Sequence, residues 1–240
     1  MYKNKKVSII IPTYNEEKSI AGVINGFFTT GLVDEVIAVD NNARGATAEE
    51  IKKTKAIHVK EYEKQGYGYA IMRGLREATG DILIISEADG TFDPKDVEKF
   101  LAYSDDFEVI FGTRTSRAAI WSGAFMPFPV RFGNWAVAKF LEVLHNAPTL
   151  TDVGCTYKLL SRSAYEKIKD LFELSDGGGT FSPELMIWLI RRGIKPIEIP
   201  IIFKSRVGQS IYTGSILKAA ILGLKMIFLI IRYRLISLRG

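Results

Sequence analysis

Cysteine and histidine are scarce in this sequence of 240 residues. With one cysteine, Cys155, the chain cannot form an internal disulfide, which is typical of a protein from a reducing compartment. The two histidines, His58 and His145, are too few and too scattered to build a histidine-based metal site.

Familiar phosphate-binding signatures are missing as well. Gly66 and Gly68 open a glycine-rich turn, but the third glycine of the dinucleotide fingerprint Gly-x-Gly-x-x-Gly would fall on Ile71. No Walker-type Gly-Lys-Ser/Thr is present either. A sugar nucleotidyltransferase would carry a glycine-rich loop with a basic signature after the first strand, and Pro12–Glu17 does not provide one.

Acidic residues stop at Glu198, and residues 211–240 carry five basic residues. The net charge of the chain is +5, so residues 1–210 are neutral overall and the basic character belongs to the tail. A nucleic-acid-binding protein would more often spread its basic residues over the folded surface. The sequence therefore favours an anionic membrane surface as a partner of residues 211–240, and no nucleic acid.

Long apolar runs are missing at both ends. The stretch Val7–Ile11 is too short for a signal-peptide core, and we interpret it as a first strand, with the chain on the cytoplasmic side of a membrane. Between Lys225 and Arg232 only six apolar residues run uninterrupted, whereas a spanning helix needs about 20. Because Lys218, Lys225, Arg232 and Arg239 recur every seven residues, we predict a peripheral amphipathic interface helix. The alternative is a terminal helix buried against the domain or a second copy.

Short apolar runs alternate with helical patterns, which predicts an α/β fold with a mostly parallel sheet and helices on both faces. After residue 112 the pattern loosens, and Ala118–Val130 is typical of a loop. The predicted strands are Val7–Ile11, Glu35–Val39, Ala56–Val59, Asp81–Ser86, Glu108–Phe111, an extended Thr151–Ser161, and Lys195–Phe203. The predicted helices are Glu16–Phe28 with Asn15 as N-cap, Ala46–Lys53, Gly68–Ala78, one starting at Asp93-Pro94, Asn134–Leu144, and one from Ser182 to Arg192.

Polar or acidic residues follow three of the predicted strands. They are Pro12–Glu17, Asp40–Asn42 and Glu87–Gly90. Ligands bind outside the carboxyl ends of strands in such sheets, so these clusters should converge on one edge. A bend at Ala88–Gly90 would let Glu87 and Asp89 address one ion, and their oxygens suit Mg²⁺ or Mn²⁺.

Together these motifs resemble the family 2 glycosyltransferases of the GT-A fold, especially the polyprenyl-phosphate sugar synthases, which include dolichyl-phosphate mannose synthase. The resemblance covers residues 6–210 in collinear order. The matching motifs are Ile11–Glu16, Val39-Asp40, Gly66-x-Gly68-x-Ala70, Glu87–Gly90 with Asp93-Pro94, Gly112–Arg114, Asp152–Lys158, Pro183–Leu185, Ile197–Pro200 and Arg206-x-Gly208-x-Ser210.

The resemblance implies a catalytic domain over residues 1–210, with a nucleotide-sugar half (1–112) and an acceptor half (113–210), followed by the interface helix (211–240). It implies a donor site in which Glu87 and Asp89 hold the metal, Asp89 being the firmer ligand. Pro12, Tyr14, Glu16, Asp40, Gly68 and Ala88 would line the donor site; Arg114, Arg131 and Arg206 would lie near phosphates; and Asp152 and Glu184 would lie near the sugar and acceptor.

The expected reaction is an inverting transfer from a nucleoside-diphosphate sugar. A polyprenyl-phosphate acceptor needs no general base, whereas a saccharide hydroxyl would need Asp152 or Glu184. The apolar stretch with Trp121, Phe125, Met126 and Phe128 favours a lipid phosphate as the acceptor, with a lipid-linked saccharide hydroxyl as the alternative, although these side chains would equally suit a core. The family often has Asp where Asn41 and Glu87 stand, and Gly where Thr156 stands. An inactive membrane-bound scaffold is the alternative that Asn41 and Glu87 suggest.

Overall fold

The structure is a computed structural model that describes residues 1–208 and 215–236. Seven strands form one sheet: β1 (Val7–Thr13), β2 (Glu35–Asp40), β3 (Ile57–Lys60), β4 (Ile82–Ile85), β5 (Val109–Thr113), β6 (Lys158–Ser161) and β7 (Ile197–Pro200). Their order across the sheet is β3-β2-β1-β4-β6-β5-β7. Only β6 runs against its neighbours β4 and β5, so the predicted mostly parallel sheet is confirmed.

Helices cover both faces of this sheet. They are α1 (Ile20–Thr29), α2 (Thr47–Lys52), α3 (Tyr67–Glu77), α4 (Val97–Tyr103), α5 (Phe128–His145), α6 (Arg162–Glu166), α7 (Phe181–Arg191) and α8 (Ile216–Leu235). Alternate side chains of β1 enter two separate cores, because successive residues of a strand point to opposite faces. Ile9 and Ile11 pack with α1 and α4, and Ile10 packs with α3.

Three of the differences from the predicted boundaries have a local cause in the structure. Helix α1 begins at Ile20, and Asn15 is not its cap; the Asn15 Oδ1 accepts the Arg44 N–H at 2.6 Å instead. Helix α5 begins at Phe128 within the predicted loop, with Pro129 in its first turn, where a missing N–H leaves no helical hydrogen bond unmade. Of the predicted extended stretch, only β6 is a strand, because the Asp152 carboxylate accepts the Gly154 N–H and turns the preceding chain.

Helix α8 packs against α5 and α7 through Met226, Leu229, Ile230 and Tyr233. The Ile230 carbonyl lies 3.0 Å from the His145 Nε2, and Arg191 donates to the Ile236 carbonyl at 2.9 Å. One face of the tail helix is therefore buried against the domain, as the alternative interpretation had it. Across residues 1–208 and 215–236, no helix combines the length and hydropathy needed to cross a bilayer.

The opposite face of α8 is apolar and exposed. It presents Leu217, Ile221, Leu224, Phe228, Ile231 and Leu235. Lys218, Lys225 and Arg232 are exposed along one border of this apolar face, as their spacing of seven residues predicts. Arg239, the fourth residue of that series, lies outside the described residues.

Candidate active site

The carboxyl ends of β1, β2 and β4 meet at one edge of the sheet, as predicted. β1 pairs with both neighbours, with Thr13 opposite Asp40 and Ile10 opposite Ile85. The segments that follow β1 and β4 line a cavity of about 1500 Å³. Ligand pockets are usually about 300–1,000 Å³, so this cavity has room for two substrates.

The structure divides the predicted site residues into two groups. Those that line the cavity are Pro12, Tyr14, Glu16, Glu87, Ala88, Asp89, Arg114 and Arg206. Those that do not line it are Asp40, Gly68, Arg131, Asp152 and Glu184.

Asp89 is the centre of the polar end of the cavity, and it is only 2% exposed. Its Oδ1 accepts the Thr91 N–H at 2.9 Å and the Thr91 hydroxyl at 2.7 Å, and its Oδ2 accepts Arg206 Nη1 at 2.6 Å. Gly90 has φ +78°, so the bend that the sequence required after Asp89 is present at a residue without a Cβ.

Glu87 shares this end of the cavity with Asp89. Its Oε1 accepts the Thr156 hydroxyl at 2.6 Å, across 69 residues of sequence. Burial and the neighbouring Asp89 carboxylate raise the pKa of Glu87. A cation bound beside Glu87 and Asp89 would stabilise the ionised form of Glu87 and interact favourably with both carboxylates.

Glu16 is linked to Asp89 through Arg206, and we call Glu16, Glu87 and Asp89 the acidic cluster. Arg206 donates through Nη2 to the Glu16 carboxylate while its Nη1 binds Asp89. Burial raises the pKa of Glu16 to about 7, with Arg206 opposing the shift and Asp89 adding to it. The Arg206 segment is fixed by backbone hydrogen bonds, from the Lys204 N–H to the Thr91 carbonyl (2.8 Å) and from the Val207 N–H to the Asp89 carbonyl (2.9 Å).

Glu87 and Asp89 suit a divalent metal only if other groups, such as substrate phosphates and water, complete its coordination shell. In the described part of the chain, no three His, Cys, Asp or Glu side chains come together to hold an ion. Mg²⁺ is commonly held by one or two carboxylates, with substrate phosphates and water as the other ligands. Glu87 and Asp89 match that donor set.

Asp152 is fully buried and forms a two-pronged ion pair with Arg114. Arg114 Nε lies 2.8 Å from Oδ2 and Nη2 lies 2.9 Å from Oδ1. Burial opposes ionisation, but the Arg114 charge and hydrogen bonds outweigh it and lower the pKa of Asp152. Asp152 therefore orients Arg114 at the cavity wall and has no oxygen facing the cavity.

Glu184 lies behind the cavity wall in α7, with 1% of its surface exposed. It accepts the Tyr233 hydroxyl of α8 at 2.6 Å and the Ser175 hydroxyl. Burial raises its pKa to about 6, against the effect of these two hydrogen bonds. Glu184 thus joins α7, α8 and the loop after residue 174.

Asp40 and Gly68 also serve packing and loop geometry. The Asp40 carboxylate accepts the Ala43 N–H and the Tyr62 hydroxyl, both at 2.8 Å. A Cβ on Gly68 would come within 2.7 Å of the Phe181 ring, so this glycine allows α3 to approach α7.

Sequence reasoning missed several cavity residues. Thr156 was noted only as a departure from the family pattern, and Tyr67 only as the variable residue between two glycines. The Tyr67 hydroxyl is buried at the cavity wall and has no hydrogen-bond partner among the described residues. No local signal links either residue to the acidic turn, because both are far from it along the chain.

The other end of the cavity is apolar and lies between α5 and α8. Small side chains on both helices leave space for a groove between them, and larger apolar side chains line this groove. The lining residues are Gly133, Ala136 and Val137 of α5 and Ala219, Leu222, Gly223, Met226 and Ile227 of α8. One cavity thus joins the acidic cluster to an apolar groove.

Comparison with known proteins supports this description. Residues 8–169 match the profile of Glycosyl transferase family 2. The chain is 30% identical over 214 residues to the low-salt glycan biosynthesis hexosyltransferase Agl6 of Haloferax volcanii, covering 85% of this chain but only 49% of that protein. It is 29% identical to the dolichyl-phosphate hexose transferase of the same organism, covering 87% of each chain.

Among solved structures, the glucosyl-3-phosphoglycerate synthase of Mycobacterium tuberculosis, in complex with Mn²⁺, UDP and phosphoglyceric acid, superposes with a TM-score of 0.73. The match covers 99% of this chain and 81% of that one at 17% identity, which establishes a shared GT-A fold. The sheet topology, the collinear motifs and the family match agree: the chain belongs to glycosyl transferase family 2 and is a glycosyltransferase.

Proposed function

We propose that this glycosyltransferase is metal-dependent and transfers a hexose from a nucleoside-diphosphate sugar to a polyprenyl phosphate at a membrane surface. The observation that carries the proposal is the single cavity whose acidic end continues into the apolar groove between α5 and α8. An acceptor with a phosphate head and an isoprenoid chain matches both ends.

The donor half of the proposal rests on the acidic cluster. Glu87 and Asp89 would hold a divalent ion that neutralises the diphosphate leaving group. Arg206 carries a second positive charge at the same end of the cavity, and Arg114 is held rigidly at its wall. The mycobacterial synthase of the same fold binds Mn²⁺ and UDP, which supports this assignment.

The acceptor half rests on the residues that do not face the cavity. Asp152 is committed to Arg114, and Glu184 to Tyr233 and Ser175. These pairings favour an acceptor that needs no general base, since a base must lie within hydrogen-bond reach of the proton that it removes. A phosphate acceptor is already an anion and needs no base. The name of the dolichyl-phosphate hexose transferase adds support.

The membrane surface is proposed as the third partner. The exposed apolar face of α8 lies beside Lys218, Lys225 and Arg232, which suits an anionic bilayer. Three exposed aromatic residues of α5 add to it: Phe128, Phe132 and Trp135, with the Phe132 ring packed against the other two. Trp121 and Phe125 are exposed as well, whereas Met126 of the same predicted loop is buried.

A panel of labelled nucleotide sugars tests the proposal. Each would be incubated with the protein, Mn²⁺ and vesicles containing a polyprenyl phosphate, and the lipid fraction would be extracted and counted. We expect one sugar to enter that fraction, to be released by mild acid, and to require the metal. Asp89→Asn is the matched control, because it removes the charge and keeps the shape of the side chain.

Transfer to a lipid-linked saccharide instead of the phosphate is the second candidate, and the name of the hexosyltransferase Agl6 favours it. In that case the label would enter the lipid fraction only with a lipid-linked sugar as acceptor. A chain that bound nucleotide sugar with metal but labelled no acceptor would contradict both candidates. A chain that bound neither metal nor nucleotide would be the inactive scaffold.

A further inference from the structure

Arg206 lies between two carboxylates of the acidic cluster. Its guanidinium bridges Asp89 and Glu16, which lie 117 and 190 residues away along the chain. Its side chain is 27% exposed, whereas the Asp89 side chain is 3% exposed. Arg206 therefore covers Asp89 from the solvent side.

This arrangement leaves little capacity on Asp89 for another cation. The Thr91 N–H and hydroxyl occupy both lone-pair positions of Oδ1, and Arg206 occupies one position of Oδ2. A dication on the remaining position would lie beside a guanidinium held at 2.6 Å from the same oxygen. Like charges at such a separation repel each other.

We propose that Arg206 is a built-in competitor of the metal: it neutralises the acidic cluster when no metal is bound, and it must leave Asp89 when the metal arrives. This inference rests on the proposed metal dependence. The released guanidinium remains on a segment anchored by the Val207–Asp89 and Lys204–Thr91 backbone hydrogen bonds, so it stays within reach of the diphosphate. Arg206 then pairs with Asp89 when no metal is bound and with the donor diphosphate when the metal is bound.

The direction of the change in metal affinity on loss of Arg206 separates this role from a purely structural ion pair. A structural pair would organise Asp89, so its loss would weaken metal binding. A competitor would oppose the metal, so its loss would strengthen metal binding. The two roles thus predict changes of opposite sign in the same measurement.

The test is Mn²⁺ binding in the absence of nucleotide, measured by titration calorimetry and by the electron paramagnetic resonance signal of free Mn²⁺. We expect Arg206→Gln to bind Mn²⁺ about tenfold more tightly than the unaltered chain, from removal of one adjacent like charge. Lys204→Gln is the matched control, because it removes the same charge from the same segment but its partner is Asp93, at 2.7 Å. It should leave the Mn²⁺ affinity unchanged. Equal or weaker binding by Arg206→Gln would overturn the inference.

A second measurement needs no variant. The Arg206 Nε–H is buried and has no partner among the described residues, so its NMR resonance reports the position of the guanidinium. Mg²⁺ without nucleotide should shift this resonance as the side chain leaves Asp89. Binding of Mg²⁺ with an unshifted resonance would refute the competition and leave the proposed enzyme function intact. Absence of any Mg²⁺ or Mn²⁺ binding, with or without a nucleoside diphosphate, would refute both.

Discussion

Replacing Glu184 by glutamine should remove a specific part of the pH dependence of stability. Glu184 is buried where α7 meets α8, and burial raises its pKa from 4.5 to about 6. The folded protein therefore holds a proton on Glu184 at pH values where the unfolded chain has released it. Stability from this group is fully present below pH 4.5 and is lost as the pH rises to about 6.

The size of this effect follows from the pKa difference. The rise in the pKa of Glu184 from 4.5 to about 6 corresponds to about 2 kcal/mol of unfolding free energy. Glutamine keeps an oxygen that accepts the Tyr233 hydroxyl and presents an amide that donates to Ser175, and it cannot ionise. The stability of Glu184→Gln relative to the unaltered chain should therefore rise by about 2 kcal/mol between pH 4.5 and pH 7.

Urea unfolding of both proteins across this pH range measures the difference directly. Comparing the two proteins at each pH cancels contributions from Glu16 and Glu87, whose pKa values are also raised. Glu173→Gln is the control, because that side chain is 75% exposed and pairs only with Arg76 at the surface. If the curves of Glu184→Gln and the unaltered chain stay parallel, the hydrogen-bonded carboxyl between α7 and α8 does not exist as described.

Four further changes test other parts of the structure. Asp89→Asn should lower turnover at least about 100-fold in a protein that still folds, measured by sugar transfer and calorimetry, because it removes a metal-binding charge. Thr156→Val should weaken Mn²⁺ binding about tenfold or more in a calorimetric titration, because Glu87 loses its orienting hydroxyl. Gly68→Ala should lower the unfolding free energy by about 1–3 kcal/mol in urea, because its Cβ would meet Phe181 and Gly177. Exchanging Lys218, Lys225 and Arg232 for glutamine should weaken sedimentation with anionic vesicles about 100-fold, at about 1 kcal/mol per charge, while the same exchange at the exposed Lys52, Lys53 and Lys55 should not.

The sequence predicted the sheet and the acidic edge because both depend on local patterns. Apolar runs followed by polar turns mark parallel strands, and their carboxyl ends necessarily share an edge. The start of α5 was predicted six residues too late, because Pro127 and Pro129 read as loop signals although proline is compatible with a first helical turn. The pairing of Asp152 with Arg114 and of Glu184 with Tyr233 could not be predicted, because an acidic residue in a motif does not reveal its partner.

The position of α8 was undecidable from periodicity for a physical reason. The helix has two apolar faces, one against α5 and α7 and one exposed, with Lys218, Lys225 and Arg232 along one border between them. An interface helix and a packed helix each require one apolar face, and this sequence supplies both. Tertiary contacts such as the Tyr233–Glu184 hydrogen bond decide which face turns inward.

Two departures from the family pattern meet in the structure. Glu87 stands where the family commonly has Asp, and Thr156 stands where it often has Gly, and the two side chains are joined at 2.6 Å. A glycine at position 156 would leave this oxygen of Glu87 without its hydroxyl donor, and an aspartate at position 87 is one methylene shorter. The longer acid and the added hydroxyl therefore form a matched pair that keeps a carboxylate beside Asp89. This pairing weakens the case for an inactive scaffold, because the departure that suggested lost chemistry is accompanied by the residue that orients it.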